Sequence, residues 1–145
     1  MAEIERGYNG NINLKRKGVN IEWDAEKLQE FMRCSADPIY FAENYMQIVH
    51  VDRGLIPIEM YEYQKEIALA ITNNRRVAVN TSRQAGKTTT AAAIILHYAL
   101  FNEYKTVALL ANKGDSAREI LDRIKIAYEV IPDWFKQGII EWNKG

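Results

Sequence analysis

Residues 77–94 read VAVNTSRQAGKTTTAAAI, and the fold turns on how this stretch is read. Val77-Ala78-Val79 is a short apolar run without polar alternation, the pattern of a strand covered on both faces. It leads into Thr81-Ser82-Arg83-Gln84-Ala85-Gly86-Lys87-Thr88. From residue 87 to about 101 a helix is expected, and between Ala91 and Leu96 it is apolar almost all round, as a buried helix is. A strand, a loop ending in Gly-Lys-Thr and a helix supply the last elements of the pattern G-x-x-x-x-G-K-[ST] together with its setting. Each part has a physical task. Gly86 lets the backbone approach an anion with no side chain in the way. The N–H groups of the helix start point at that anion, and the helix dipole favours negative charge there. Lys87 brings a point charge to the outer phosphates of a nucleotide and Thr88 a hydroxyl to Mg²⁺, while Thr89 and Thr90 add hydrogen bonds at the helix start. The pattern's first glycine is replaced by Thr81. The competing reading is an ordinary helix start with a useful threonine; the flanking strand and buried helix favour the phosphate loop.

Arg83 lies inside the loop. There a cation can reach a terminal phosphate and stabilise the charge that develops in transfer, as an arginine finger does in cis. A structural arginine paired with a nearby carboxylate is the alternative, and the residues alone leave the two open. Downstream, residues 106–111 form a second continuous apolar run and Asn112-Lys113-Gly114 a turn. Ser116-Ala117-Arg118-Glu119 reads as a capping box opening a helix with Ala117, Ile120, Leu121, Ile124 and Tyr128 on its inner face. Pro132 closes that helix, residues 133–136 add a turn, and residues 138–142 begin another strand. The order strand, loop, helix, strand, helix gives an α/β fold with a parallel sheet and flanking helices, of the P-loop NTPase (RecA/ASCE-like) kind.

Upstream, the chain reads as a small helical lead. A helix is expected after Asp24 with Ala25, Leu28, Phe31 and Met32 inward. A second begins at Asp37-Pro38, with Phe41, Ala42, Tyr45 and Met46 inward. QIVHVDRGLIPIEM, residues 47–60, reads as a hairpin turning at Asp52-Arg53-Gly54. A third helix carries Met60, Tyr63, Ile67, Ala70 and Ile71 and ends at Asn73-Asn74. Residues 1–20, with Arg6, Lys15, Arg16 and Lys17, are expected to be a flexible arm. The organisation is thus an arm over 1–20, a lead with a hairpin over 21–60, and the first part of an ATPase domain over 61–145.

Lys+Arg and Asp+Glu are both 19 among 145 residues, so the net charge is zero and nucleic-acid contact has to be local or lie elsewhere. The single cysteine, Cys34, excludes a disulfide framework within one chain and suits a reducing cytoplasm. No run is long and apolar enough to span a membrane, and the N-terminus does not read as a signal peptide. His50 and His97 have no metal-ligand spacing. Trp23, Trp134 and Trp142 read as core or surface anchors. Asp115, Glu119 and Asp122 with Arg118 and Arg123 read as a solvated, ion-paired helix face.

TSRQAGKTTTAA resembles the variant Walker A loop of large terminases from tailed phages of the T-even, T4-like type, which read S-R-Q-x-G-K-T and tolerate the missing first glycine. MYEYQKEI, residues 60–67, is similar to that family's adenine-recognition segment. ALLANKGDSAREILDRIKIAYEVIPDW is similar to its next strand and helix, and GIIEWNKG to the strand after. The resemblance implies that residues 81–89 hold ATP, with Gln64 reading the adenine edge and Tyr63 supporting it. It also implies that Thr88 binds Mg²⁺ and that Arg83 stands at the cis arginine-finger position, acting with Lys87 in catalysis. It further implies an N-terminal motor that drives double-stranded DNA into a procapsid, and a C-terminal endonuclease. The implied partners are the procapsid's portal protein, the small terminase subunit and other large-subunit copies in a ring. The implied location is the host cytoplasm, docked transiently at the portal and not in the mature virion. A Walker B element is an apolar strand ending in Asp; here the run after the loop ends in Asn112, and the one run ending in Asp, residues 48–52, precedes the loop. The sequence is therefore expected to be an N-terminal fragment, or one product of a split gene whose second chain supplies the rest. An exposed apolar patch and marginal stability are expected with it. A helicase-like translocase of the superfamily-two kind and a non-catalytic piece that docks on a portal are the competing functions.

Overall fold

The computed structural model describes residues 6–50 and 52–142. It is a mixed α/β structure. Two short strands, β1 (Gly7–Tyr8) and β2 (Asn11–Lys15), pair antiparallel, as do β3 (Gln47–His50) and β4 (Gly54–Pro57). The helices are α1 (Ala25–Ala36), α2 (Pro38–Tyr45), α3 (Glu62–Asn73), α4 (Lys87–Phe101) and α5 (Gly114–Val130). Helix α4 is central and packs against α2, α3 and α5.

The helical lead follows from its caps. The Asp24 carboxylate accepts the Lys27 N–H at 2.8 Å, and Asp37 accepts those of Ile39 and Tyr40 at 3.0 and 2.9 Å, with Pro38 in the first turn of α2. Phe41, Ala42 and Met46 of this region are buried as expected. The inward face of α1 differs from the expected one: Leu28 and Met32 are exposed, Cys34 is buried, and Glu30 is turned toward α2. Glu30 Oε1 accepts the hydroxyls of Tyr40 and Tyr45, both at 2.8 Å, and these bonds hold its carboxyl below the usual range. These two charge-assisted bonds hold Glu30 toward α2, a rotation of α1 that leaves Leu28 outside. The core joins Phe41 to Phe101 of α4 and to Phe135, at ring distances of 5.4 and 5.2 Å. Leu96, Leu100, Ile131 and Ala127 belong to the same core.

Where a loose arm was expected over residues 1–20, residues 7–15 form a hairpin; residues 1–5 lie outside the described part. Asn9 and Gly10 at its tip both have positive φ, 50° and 81°, as a two-residue hairpin turn requires. Leu14 reaches the core. Ile139 N–H donates to the Lys15 carbonyl (2.8 Å), and Lys17 N–H donates to that of Ile139 (3.2 Å). Beside them the buried Lys136 ammonium donates to the Asn13 and Glu129 carbonyls and pairs with Asp133. The hairpin is thereby bound to residues 129–139, and the bridge Arg16–Ile139 is parallel. A strand beginning at residues 138–142 amounts, in the described part, to that single bridge.

Residues 77–79 and 106–111, expected as parallel strands, belong to no sheet among the described residues. Val77, Val79 and Val107 are each nearly 40% exposed, and Leu110 is 89% exposed. A parallel strand is stable when neighbours pair its backbone and helices cover its faces; these runs have no neighbouring strand in the described chain. The apolar patch expected on α4 is not seen, since its Ala92, Ala93, Ile94 and Leu96 stay buried; the exposed apolar residues lie instead on the two strand runs. Helix α5 starts at Gly114, two residues before the expected cap. Ser116 lies inside it, and Glu119 pairs with Arg123 (3.2 Å) where a capping box would turn it back. Asp115 pairs with Arg118 at 2.7 Å on the same solvated face.

Candidate phosphate-binding loop

Helix α4 opens on Gly86, which sits in the left-handed region at φ 70° and ψ 13°. Gln84, two residues earlier, is also left-handed at φ 61°. The helix has no side-chain cap. The first N–H it satisfies internally is that of Thr90, bonded to the Gly86 carbonyl at 2.9 Å; the same carbonyl accepts the Thr90 hydroxyl at 3.1 Å. The N–H groups of Lys87, Thr88 and Thr89 have no acceptor among the described residues, and they all lie at the positive end of a fifteen-residue helix.

Lys87 is folded onto its own loop, donating to the carbonyls of Ser82 (2.6 Å) and Thr81 (3.3 Å). An ammonium held by two carbonyls over an uncapped helix end is poised to exchange those neutral acceptors for a charged one. Arg83 is exposed and makes no ion pair or hydrogen bond with any described residue. Of the two readings left open for it, the structure gives no support to the carboxylate-paired one. Ser82 and Gln84 are likewise exposed, and Thr81, Ala85 and Thr88 half-buried.

Helix α3 closes on the loop from the other side. The Tyr63 hydroxyl donates to the Ala85 carbonyl at 3.0 Å. Gln64 is buried, its Oε1 accepts the Tyr61 N–H at 2.9 Å, and its Nε2 lies over Gly86 so closely that a Cβ there would collide with it. Tyr63, Gln64, Ala85, Gly86, Lys87, Thr81 and Ser82 thus form one connected group. Thr89 does not join it through its side chain, because its hydroxyl accepts from Arg123 of α5 at 3.4 Å. Sequence reasoning placed Arg123 on a solvated face; its link to α4 is a contact between residues 34 apart, for which local pattern offers no signal.

Other chemistry-bearing residues serve structure. Burial pushes the Cys34 thiol up to about 12, and the adjacent Glu30 carboxylate adds to the effect. His97 Nε2 donates to the Cys34 carbonyl at 2.8 Å. His50 Nδ1 accepts the Asp52 N–H in the hairpin turn. Trp134 stacks on Phe135 at 3.8 Å, and Trp23 packs edge-on against Trp134. Among the described residues no three of His, Cys, Asp and Glu cluster as a metal would need, and no helix is long and apolar enough to cross a membrane.

Residues 79–145 match the family described as terminase large subunit, T4likevirus-type, N-terminal. That segment belongs to the large-terminase family. The match takes in the whole loop, α4, α5 and the run between them, and it begins after Tyr63 and Gln64. The match supports a role in phage DNA packaging for that segment.

Proposed function

We propose that this chain holds ATP with Mg²⁺ in the loop of residues 81–88, as the nucleotide-binding part of the motor that moves double-stranded DNA into a procapsid. The observation carrying the reading is the helix end. Three N–H groups without an acceptor among the described residues, a left-handed Gly86 without a Cβ and the Lys87 ammonium converge where a phosphate chain would lie. The residues fit the ligand chemically: each donor is positive or dipolar, and the described loop side chains present no carboxylate to repel an anion. Lys87 would trade the Ser82 and Thr81 carbonyls for phosphate oxygens. Thr88 would offer its hydroxyl to the metal. Arg83, which has no partner among the described residues, would approach the terminal phosphate. Magnesium, when bound, neutralises charge on the outer phosphates. Contact with a portal protein, a small terminase subunit and further copies in a ring, in the host cytoplasm, belongs to the same proposal.

The test is titration of Mg²⁺ and ATP into the wild-type chain and Lys87→Ala, with turnover followed in parallel. Wild type should bind, and the variant should bind about 10- to 100-fold more weakly, the value of a hydrogen bond to a charged group. The apolar run after the loop ends in Asn112, so these 145 residues should show no steady turnover by themselves. Equal binding by both forms would refute the loop assignment. Steady, Lys87-dependent hydrolysis would show that a carboxylate such as Glu103 or Glu141 serves in the chain itself. Portal binding that survives loss of nucleotide binding would favour a docking role instead.

A further inference from the structure

We propose that the segment 6–17 is a contact surface for the phosphate backbone of duplex DNA, with Arg16 and Lys17 as its main cations and Arg6 beside them. The proposal does not depend on the nucleotide loop. Residues 6–21 carry Arg6, Lys15, Arg16 and Lys17 and no Asp or Glu. Taking these four from the 19 cations leaves 15 against all 19 carboxylates in the rest of the chain, so a net charge of zero conceals a local positive field. Arg6, Arg16 and Lys17 are exposed, and none forms an ion pair with a described residue. The Arg16 N–H donates to the Arg6 carbonyl at 2.9 Å, which sets the two arginines opposite each other. Like charges so placed repel. Glu22 shares a concavity with Arg6 but lies beyond ion-pair distance, and Asp133 is taken by Lys136 at 3.1 Å. Lys15 shows the same crowding. Burial lowers its pKa, and the charges of Arg6 and Lys136 add to the effect against the opposing pull of Asp133.

The surface is held in place from the far end of the chain. Leu14 is in the core, Lys136 donates to the Asn13 carbonyl, and Ile139 bonds the backbones of Lys15 and Lys17. Arg16 and Lys17 enter these bonds through their backbones alone. Beside their side chains lies a concavity of about 590 Å³, closed on the other side by Gly7, Tyr8, Asn9 and Gly10 and lined by no carboxylate. Open space surrounds Gly10 at the tip. The exposed amides of Asn9 and Asn13 are uncharged donors of the kind that accompany cations on a phosphate backbone. A segment fixed by the fold suits a stiff duplex, whose phosphates are fixed in space. A single strand is gripped by bases stacked on exposed rings. The one aromatic residue of the segment, Tyr8, is packed against the core.

The experiment follows binding of a short labelled duplex to the 145-residue chain by fluorescence anisotropy between about 50 and 200 mM salt. It compares wild type, Arg16→Ala/Lys17→Ala, the charge-preserving Arg16→Lys/Lys17→Arg, and Arg75→Ala/Arg76→Ala, which removes two exposed cations elsewhere. Each lost phosphate contact lowers the slope of log K against log salt by about 0.9. Arg16→Ala/Lys17→Ala should therefore lose about 2 in slope and weaken binding to all duplex sequences alike. The charge-preserving variant and Arg75→Ala/Arg76→Ala should keep the wild-type slope. Arg16→Ala/Lys17→Ala should also melt as wild type does and bind ATP with Mg²⁺ unchanged, which keeps this surface and the nucleotide loop separately testable. No duplex binding by wild type would overturn the proposal, as would equal losses in the two alanine variants or a loss in the charge-preserving one. Tighter binding of a single strand of the same length would overturn it in favour of stacking. Polyglutamate bound as tightly as duplex, with the same dependence on Arg16 and Lys17, would assign the surface to an acidic protein instead.

Discussion

Helices α1 and α2 start on Asp24 and Asp37, whose carboxylates close their first turns, whereas α4 starts on Gly86 with three N–H groups that no described residue accepts. Both kinds of end carry the same positive dipole. In the lead a side chain of the protein satisfies it, and each such cap contributes about 1 kcal/mol. At α4 a capping carboxylate would fill the proposed anion position with the protein's own charge. The left-handed Gly86 and the Lys87 ammonium keep that position positive and sterically clear. On the proposed reading, the contrast separates an end that serves stability from one that gives stability up to leave room for a ligand.

The comparison is broken most forcefully at the point where the two regions share a core. Phe41 of α2 is fully buried and lies against Phe101 and His97 of α4 and Phe135 beyond α5. Phe41→Ala should cost about 3–5 kcal/mol. If lead and loop form one cooperative unit, thermal melting followed by aromatic circular dichroism and nucleotide binding followed by titration should fail together. A variant that loses the aromatic signal but still binds ATP would show that the loop region stands without the lead.

Next in size is the cap itself. Asp37→Ala removes the acceptor of two N–H groups and should lower stability by about 1–2 kcal/mol in denaturant melts, with nucleotide affinity unchanged below the transition. Lys87→Ala should do the reverse, losing affinity while the melt barely moves. Equal effects of the two changes on both measurements would erase the distinction between a structural and a functional helix end.

These contrasts also divide what local pattern could reveal from what it could not. Asp24, Asp37-Pro38, the Asp52-Arg53-Gly54 turn and the apolar helix after Lys87 are visible because caps, turns and periodicity act within a few residues. The hairpin of residues 7–15 was hidden by its polar composition; the Asn9-Gly10 pair was its signal, but what holds it is Lys136 and Ile139 at the far end of the chain. The rotation of α1 was hidden because Glu30 is anchored by hydroxyls 10 and 15 residues away. Apolar runs 77–79 and 106–111 have the composition of covered strands, yet pairing requires neighbours that composition does not supply. At the loop, Gly86-Lys87-Thr88 is legible as a motif, while the clasp of Tyr63 and Gln64 on Ala85 and Gly86 is a tertiary contact spanning about twenty residues.

The smallest expected effect lies at the joint between the two regions. His97 of α4 donates to the Cys34 carbonyl at the end of α1 and packs on Phe41 and Phe101, and burial lowers its pKa from the ordinary value. The folded state therefore resists a proton that the unfolded chain takes up near pH 6.5. Above that pH neither state is protonated and stability is unaffected. As pH falls through about 6.5 the unfolded state binds more protons, so stability drops. The melting temperature of wild type should accordingly fall further between pH 7.5 and 5.5 than that of His97→Gln, which keeps a donor for the Cys34 carbonyl and does not titrate. A wild-type protein that gains stability relative to His97→Gln on acidification would mean that the imidazole is charged when folded and drawn to Asp37. The joint between capped lead and open-ended α4 would then be an ion pair, where the structure shows a neutral hydrogen bond packed in an aromatic core.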